Sequence, residues 1–137
     1  MRHEVTDADS AVALGSGDVP VLATPRLIAW MEAQTVQEAQ PLLSAGQTTV
    51  GITIRVQHLR ATPVGGVVEV TATPPIEAES RRLTFTVLAV DGSGRIVAQG
   101  EIERAVVERD RFLAGASAAG ASTAGAGDGG SGADAGH

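Results

Sequence analysis

The segment PVLATPRLIAWMEAQ (residues 20–34) contains the start of a long helix, and the rest of the predicted fold is arranged around that helix. Thr24–Pro25 is a strong helix-start pair, because threonine is a good N-cap and proline at N1 lacks only an amide that would be unpaired there anyway. We expect the helix to run to about Gln40, with Pro41 helping to end it.

One side of this helix is apolar. At 100° per residue, the residues that share the apolar arc are Leu27, Ile28, Met31, Thr35 and Ala39. Glu32 falls on the edge of that arc, away from the face centred on Arg26. A carboxylate beside an apolar face is costly unless it reaches water, pairs with a cation or takes part in chemistry. Glu32 is therefore a candidate functional residue.

The segments after the helix predict an antiparallel sheet. From Thr48 the sequence alternates, so that one strand face is predicted to carry Val50, Ile52, Ile54, Val56 and His58. The hairpin signal DGSG joins two predicted strands, RRLTFTVLAV and RIVAQGEIERAVVE. A further strand is predicted in VVEVTATPPIEAES, and its proline pair predicts that it ends early or lies on an edge. With a weak strand and then a loop in HEVTDADSAVAL, the order is β–α–β–β–β–β. This order indicates an α+β fold with the helix against one sheet face.

The length and the composition predict one small domain followed by a tail. The chain has 137 residues, and from Ala114 onward it consists almost entirely of Ala, Gly and Ser. Such a segment has almost nothing to bury, so we expect residues 114–137 to be flexible and residues 1–113 to form the domain. A domain of this size favours dimerisation as a way to complete its core.

Composition also excludes several classes of function. Ten Lys and Arg against 16 Asp and Glu give a net charge of −6, and only two Phe and one Trp are present, which argues against nucleic-acid binding. The absence of cysteine excludes disulfides and thiolate metal sites, and two of the three histidines are near the termini, so we expect no metal. Without an apolar leader or membrane span, we expect a soluble cytoplasmic protein that does not bind membranes.

Three polar residues stand where apolar ones were expected: Thr24, Glu32 and His58. Each has a simpler structural interpretation. Thr24 could be a helix cap, Glu32 a carboxylate that reaches water or an arginine, and His58 a hydrogen-bonded core histidine. Together, however, a hydroxyl, a carboxylate and an imidazole are the ingredients of acyl-transfer chemistry. A helix packed across the next strand would allow the three to meet.

The sequence resembles the hotdog-fold thioesterases, in particular the fluoroacetyl-CoA thioesterase branch. The matching stretches are VLATPRLIAWME, VGITIRVQH, ATPVGG with the strand after it, and GEIERAVVERDRF. In that branch a Thr, a Glu eight positions later and a His 26 positions further form the catalytic set, and Thr24, Glu32 and His58 have this spacing. A glycine seven positions before the histidine recurs as Gly51, and ERAVV carries Arg104 at the matching place.

This resemblance implies a central helix wrapped by an antiparallel sheet, and a homodimer whose sheets join edge to edge. It also implies active sites at the dimer interface and an acyl-CoA substrate, so that coenzyme A belongs to the substrate and no separate cofactor is expected. The chain departs from the branch in one region. The family's longer, aromatic-bearing lid segment corresponds here to TDADSAVALGSGD, which has no aromatic residue and leaves the acyl group open.

The leading hypothesis is thioester hydrolysis. His58 would be the general base or acid, Thr24 the nucleophile or a hydrogen-bond donor, and Glu32 either the group that orients His58 or the group that attacks the thioester. Gly51 would allow the substrate to approach the strand closely, and Arg104 would contact the CoA moiety or stabilise the fold.

The acyl pocket is expected to depend on Leu27, Ile28 and Met31, on the loop before the helix, and on the partner subunit. Two alternatives share the fold. One is a module that binds acyl-CoA or a related ligand without hydrolysing it. The other is an enoyl-CoA hydratase or dehydratase, which ranks last because no aspartate stands close before His58.

Overall fold

In a computed structural model, the chain is described over residues 1–76 and 81–123, with side chains to residue 120. The strands are β1 (Arg2–Glu4), β2 (Gln47–His58), β3 (Val67–Thr73), β4 (Arg82–Asp91) and β5 (Ile96–Glu108). The helices are α1 (Ala11–Leu14), α2 (Thr24–Ala39) and α3 (Arg109–Thr123). The predicted α+β class and the order of one long helix followed by four strands are confirmed.

The five strands form one antiparallel sheet in the order β1-β3-β4-β5-β2, and α2 packs across its inner face. The buried residues of α2 are Leu27, Met31, Thr35 and Ala39, as the predicted apolar arc requires. They pack against the inner-face residues of the sheet, among them Val70, Leu83, Phe85, Val87 and Ile102. Because β2 is the last strand of the sheet, one edge of this strand has no neighbour within the described chain.

The start of α2 differs from the prediction in one respect that matters for function. Ala23, with extended backbone angles, is the N-cap, and Thr24 is already the first helical residue, with Pro25 next in the first turn. No side chain caps this helix end. The prediction of Thr24 as the N-cap is therefore wrong, because a residue one position earlier takes that place and leaves the Thr24 hydroxyl available for another partner.

The alternation predicted along β2 is also wrong over its first half. A β-bulge between Gly51 and Thr53 leaves Ile52 without a partner on β5. One extra residue moves the side chains before it to the other face. Ile54 and His58 share the inner face as predicted, but Val50 does not, and Thr49 and Gly51 point inward instead.

The N-terminal segment holds more structure than the predicted loop. β1 pairs with β3, and a 3-10 turn (Asp7–Asp9) and α1 follow it. The His3 ring stacks on Trp30 of α2, with centroids 4.2 Å apart and planes 4° from parallel. β3 ends at Thr73, before the proline pair, but it lies between β1 and β4 and not on an edge.

The first part of the predicted tail is helical. Residues 114–123 continue α3, whose many alanines favour a helix although its surface is exposed. Residues 124–137 lie outside the described part, so the remainder of the predicted tail stays a prediction. No helix within residues 1–76 and 81–123 is long and apolar enough to cross a membrane.

Candidate active site

The structure brings Thr24 and His58 together. Thr24 is the first residue of α2, and His58 is the last residue of β2, on the face that looks toward that helix. Thr24 Oγ1 lies 2.8 Å from His58 Nδ1. A hydroxyl in hydrogen-bond contact with an imidazole is the arrangement that turns a weak nucleophile into a useful one.

The surroundings of His58 favour its neutral form. Burial of the half-buried ring lowers its pKa below the ordinary histidine value, and the neighbouring backbone of Arg60 offsets part of that effect. Nε2 is buried and has no hydrogen bond of normal geometry. With a proton on Nε2, Nδ1 accepts the hydrogen bond from the Thr24 hydroxyl and is ready to take its proton.

A second polar centre lies further along α2. Nη1 of Arg104 lies 3.5 Å from Glu32 Oε2. The arginine side chain is only 8% exposed, whereas the carboxylate is 36% exposed and reaches solvent. Burial lowers the pKa of Arg104, and the charge of Glu32 opposes this shift. A guanidinium stays protonated under such conditions, so Glu32 has a permanent cationic partner.

Arg104 has a further partner that sequence reasoning did not single out. Its Nε donates to Thr49 Oγ1 at 2.8 Å, and its Nη2 donates to the Thr49 backbone carbonyl at 3.2 Å. No local pattern in the sequence predicts this contact, because the alternation places Thr49 on the outer face and only the bulge turns it inward.

The two centres do not meet directly. Thr24 and Glu32 are eight residues apart on α2, which at about 1.5 Å per residue separates their Cα atoms by about 12 Å. Within the described residues Glu32 pairs with Arg104 and makes no hydrogen bond to His58. The structure therefore does not support the expectation that Glu32 orients His58.

The predicted substrate-binding residues fall into two groups. Gly51 is buried and lies directly opposite Arg104 in the β2–β5 register, on the inner face. Ile28 is half-buried, in the same helical row as Thr24 and Glu32. Leu27 and Met31 are fully buried in the core, because the centre of the apolar arc faces the sheet. Leu27 and Met31 therefore lie on the side of α2 that packs against the sheet core, and not on the row that carries Thr24, Ile28 and Glu32.

A pocket of about 300 Å³ lies beside the Thr24–His58 pair. Its other walls come from the segment before α2 and from the segment after β2: Ala11, Ser16, Gly17, Val19, Val21, Leu22, Leu59, Arg60 and Ala61. The loop before Thr24 was expected to shape the acyl pocket, and it does line this one. Within the described residues, no group of three or more His, Cys, Asp or Glu is arranged to hold a metal.

Comparison with known proteins identifies relatives of this chain in fold and in sequence. In fold, the chain is similar to a hot-dog-like protein from Thermanaerovibrio acidaminovorans, with a TM-score of 0.74 and 26% identity over 82% of each chain. It is also similar to a phenylalanine-to-alanine variant of the fluoroacetyl-CoA-specific thioesterase FlK solved with fluoroacetate and CoA. That match has a TM-score of 0.76 and 32% identity, and it covers 85% of this chain and 94% of the other.

The fold and these likenesses define a hotdog-fold thioesterase, a class of enzyme that hydrolyses acyl-CoA thioesters. Residues 5–110 match the family described as FlK, fluoroacetyl-CoA-specific thioesterase, and the chain belongs to that family. It is 39% identical over 94 residues to the fluoroacetyl-CoA thioesterase of Streptantibioticus cattleyicolor, a match that spans 69% of this chain and 66% of that protein. The predicted family, the hotdog fold and the thioester hydrolase are therefore confirmed.

Proposed function

We propose that this chain hydrolyses an acyl-CoA thioester by nucleophilic attack from Thr24. The Thr24 oxygen bonds to the thioester carbonyl carbon while His58 Nδ1 takes the hydroxyl proton, and the tetrahedral intermediate then expels the CoA sulfur, which receives that proton from His58. The same imidazole then takes a proton from water, whose oxygen attacks the acyl-threonine ester. The Thr24 oxygen leaves, takes that proton back from His58, and the free acid is released. The observation that carries this proposal is the 2.8 Å contact between Thr24 Oγ1 and His58 Nδ1.

The start of α2 supplies a complementary electrostatic feature. Backbone amides and the positive end of the helix dipole converge near Thr24, where the carbonyl oxygen would become negatively charged. Gly51 has no side chain and leaves room beside the neighbouring strand. The amides and the dipole act on charge that develops in the intermediate and so stabilise it more than the bound substrate, which is the condition for a faster chemical step.

Glu32 has a separate role in this proposal. Its carboxylate is held by Arg104, is partly open to solvent, and lies two helical turns from Thr24. From there it faces the acyl group from the side opposite His58, and it orients the substrate and the hydrolytic water. The alternative chemistry is direct attack by Glu32 on the thioester, which would form an acyl anhydride.

The kinetic experiment follows CoA thiol release from acetyl-CoA, fluoroacetyl-CoA and hexanoyl-CoA. His58→Ala and Glu32→Gln are compared with the wild type and with Glu38→Gln, a matched change elsewhere on α2. We expect losses of about 10²–10⁴ in kcat/KM for the two site variants, the order usual for an acid–base group, and none for the control. Saturable CoA binding without thiol release in any of the three substrates would instead indicate a binding module.

Isotope labelling distinguishes the two nucleophiles. A single turnover in H₂¹⁸O, followed by peptide mass spectrometry, leaves ¹⁸O only in the released acid if Thr24 attacks. If Glu32 attacks, the one water oxygen enters the Glu32 carboxylate in every turnover in which the anhydride opens at the Glu32 carbonyl, and the released acid is then unlabelled. Label in the Glu32 peptide would overturn the role that we give to Thr24.

We also propose that the enzyme is a homodimer joined through β2. This strand has 12 residues and a free edge within the described chain, and the apolar side chains Ile52 and Ile54 on it are about 40% exposed. Val36, in the same row of α2 as Glu32, is exposed beside them. A long apolar edge is a template for strand pairing, and a second copy of the chain would cover it.

For the location of the enzyme, we propose the cytoplasm. The cysteine-free sequence is suited to a reducing compartment, and the substrate class is an intracellular thioester. Fractionation of cells that produce the protein tests this proposal.

A further inference from the structure

We propose that Thr49 is a positioning residue of this thioesterase, which holds the Arg104 guanidinium so that it faces Glu32. The inference rests on the proposed function in that it gives the Glu32–Arg104 pair a part in hydrolysis. Neither the spacing of the catalytic set nor the resemblance to the family pointed to Thr49.

The geometry of the guanidinium supports this role. Its Nε and Nη2 groups are both held by Thr49, through the hydroxyl at 2.8 Å and the backbone carbonyl at 3.2 Å. The guanidinium is a rigid planar fork, so fixing two of its nitrogens also fixes the direction of the third. That third nitrogen, Nη1, makes the longer 3.5 Å contact with Glu32. The shorter Thr49 contacts therefore decide where Arg104 points.

Burial makes the Thr49 hydroxyl hard to replace. The Arg104 residue is only 6% exposed, so water has little access to its nitrogens. Removing the hydroxyl would leave Nε without an acceptor in a closed space, which is costly for a charged donor. The guanidinium would then turn toward another acceptor and lose its alignment with the carboxylate of Glu32.

The bulge in β2 is what places Thr49 in this position. Thr49 and His58 are nine residues apart, so in a regular strand they would point to opposite faces. The extra residue at Ile52 brings both onto the inner face. Because of this bulge, β2 supplies both His58, the base beside Thr24, and Thr49, which holds Arg104 beside Glu32.

The test compares Thr49→Val, which removes the hydroxyl but keeps the branched shape, with Thr49→Ser, which keeps the hydroxyl. Thr53→Val is the matched control, because Thr53 lies on the same strand opposite Glu103 on the outer face. We expect Thr49→Val to lower kcat about tenfold with KM within about twofold, as is usual for residues that orient a functional group. Thr49→Ser should stay within about twofold of the wild type.

A double-mutant cycle separates positioning from general damage. If Thr49 acts through Arg104 and Glu32, Thr49→Val should have little further effect on kcat once Glu32 is changed to Gln. Independent, multiplying losses would overturn the proposal, and so would a Thr49→Val enzyme as active as the wild type. Failure of the proposed function has a different signature, since the wild type itself would then release no thiol or would carry ¹⁸O in its Glu32 peptide.

A measurement on the unmodified protein covers the case in which Thr49→Val does not fold. The ¹⁵N NMR signal of the Arg104 Nε–H group is assigned by its absence from Arg104→Lys. We expect this signal to be protected from solvent exchange, unlike the Nε–H signal of the exposed Arg55. If the Arg104 signal exchanges with solvent as fast as the Arg55 signal, Thr49 does not hold the Arg104 guanidinium as proposed.

Discussion

The hydroxyl of Thr24 lies 2.8 Å from Nδ1 of His58, at the point where the first turn of α2 meets the last residue of β2. The same hydroxyl does not cap the helix, because Ala23 occupies the N-cap position. A threonine whose sequence context is typical of a cap is therefore released for contact with a base. This relationship leads directly to the first two predictions.

The rate should depend on pH through His58. Burial lowers the pKa of His58, and the base must be neutral to accept the Thr24 proton. The kcat/KM should therefore rise with pH along an acid limb whose midpoint lies below the ordinary histidine value of about 6.5, and should be level at neutral pH. Rates measured with one acyl-CoA between pH 4.5 and 8 check this. An acid limb centred above the ordinary value would contradict the burial argument.

Changes at Thr24 should separate catalysis from stability. Thr24→Val should lower kcat at least about 10²-fold, because the hydroxyl is lost, whereas Thr24→Ser should keep most of the activity. The free energy of unfolding of Thr24→Val should fall by no more than about 1.5 kcal/mol, since the change removes one hydrogen bond, that to His58 Nδ1, and no cap. Urea unfolding measures this change. A loss of the same size when Thr24→Val is made in a His58→Ala background would restore the capping role.

Gly100 should be intolerant of any side chain. It lies on β5 opposite Val56, and a Cβ atom there would collide with the backbone of Arg55 and Val56. Because neither backbone can move without breaking the strand pairing, Gly100→Ala should lower the free energy of unfolding by about 2 kcal/mol or more. The control is Gly115→Ala on α3, where a Cβ meets open space and stability should not fall. Thermal unfolding of both variants tests the contrast.

The main elements followed from local patterns in the sequence. Pro25 and the apolar arc predicted the position of α2, and the alternating segments with DGSG predicted the β4–β5 hairpin, because these signals depend on residues close together in the chain. Which strands are neighbours, and that β2 rather than β3 lies on an edge, depends on the packing of the whole sheet. The sequence could not provide that information.

The site was predictable only in part, for physical reasons. The sequence pattern placed Thr24 and Glu32 on one helix and His58 on the next strand, and α2 and β2 carry them in the structure. The spacing could not show that Glu32 pairs with Arg104, because that contact joins residues 72 positions apart. The bulge at Ile52 has no local signal in the sequence either, and in a regular strand Thr49 would face outward. Because of this one inserted residue, the contact between Thr49 and Arg104 could not be predicted from the sequence.

The free edge of β2 leads to a prediction about assembly. Ile54 is 41% exposed although it lies on the inner face opposite the buried Ile102, so the chain alone does not cover it. If a second copy covers this edge, Ile54→Glu should place a charge in the interface and shift the protein from dimer to monomer in size-exclusion chromatography with light scattering.

Leu113→Glu is the control, because Leu113 is an apolar residue on α3 that is 53% exposed, against 41% for Ile54, and it should leave the mass unchanged. Thiol release should fall together with the dimer fraction of Ile54→Glu, because Arg104, the partner of Glu32, lies opposite Gly51 of the same strand. A monomeric Ile54→Glu protein with full activity would show that each chain holds a complete site. A wild-type protein that is itself a monomer at micromolar concentration would rule out the β2 interface.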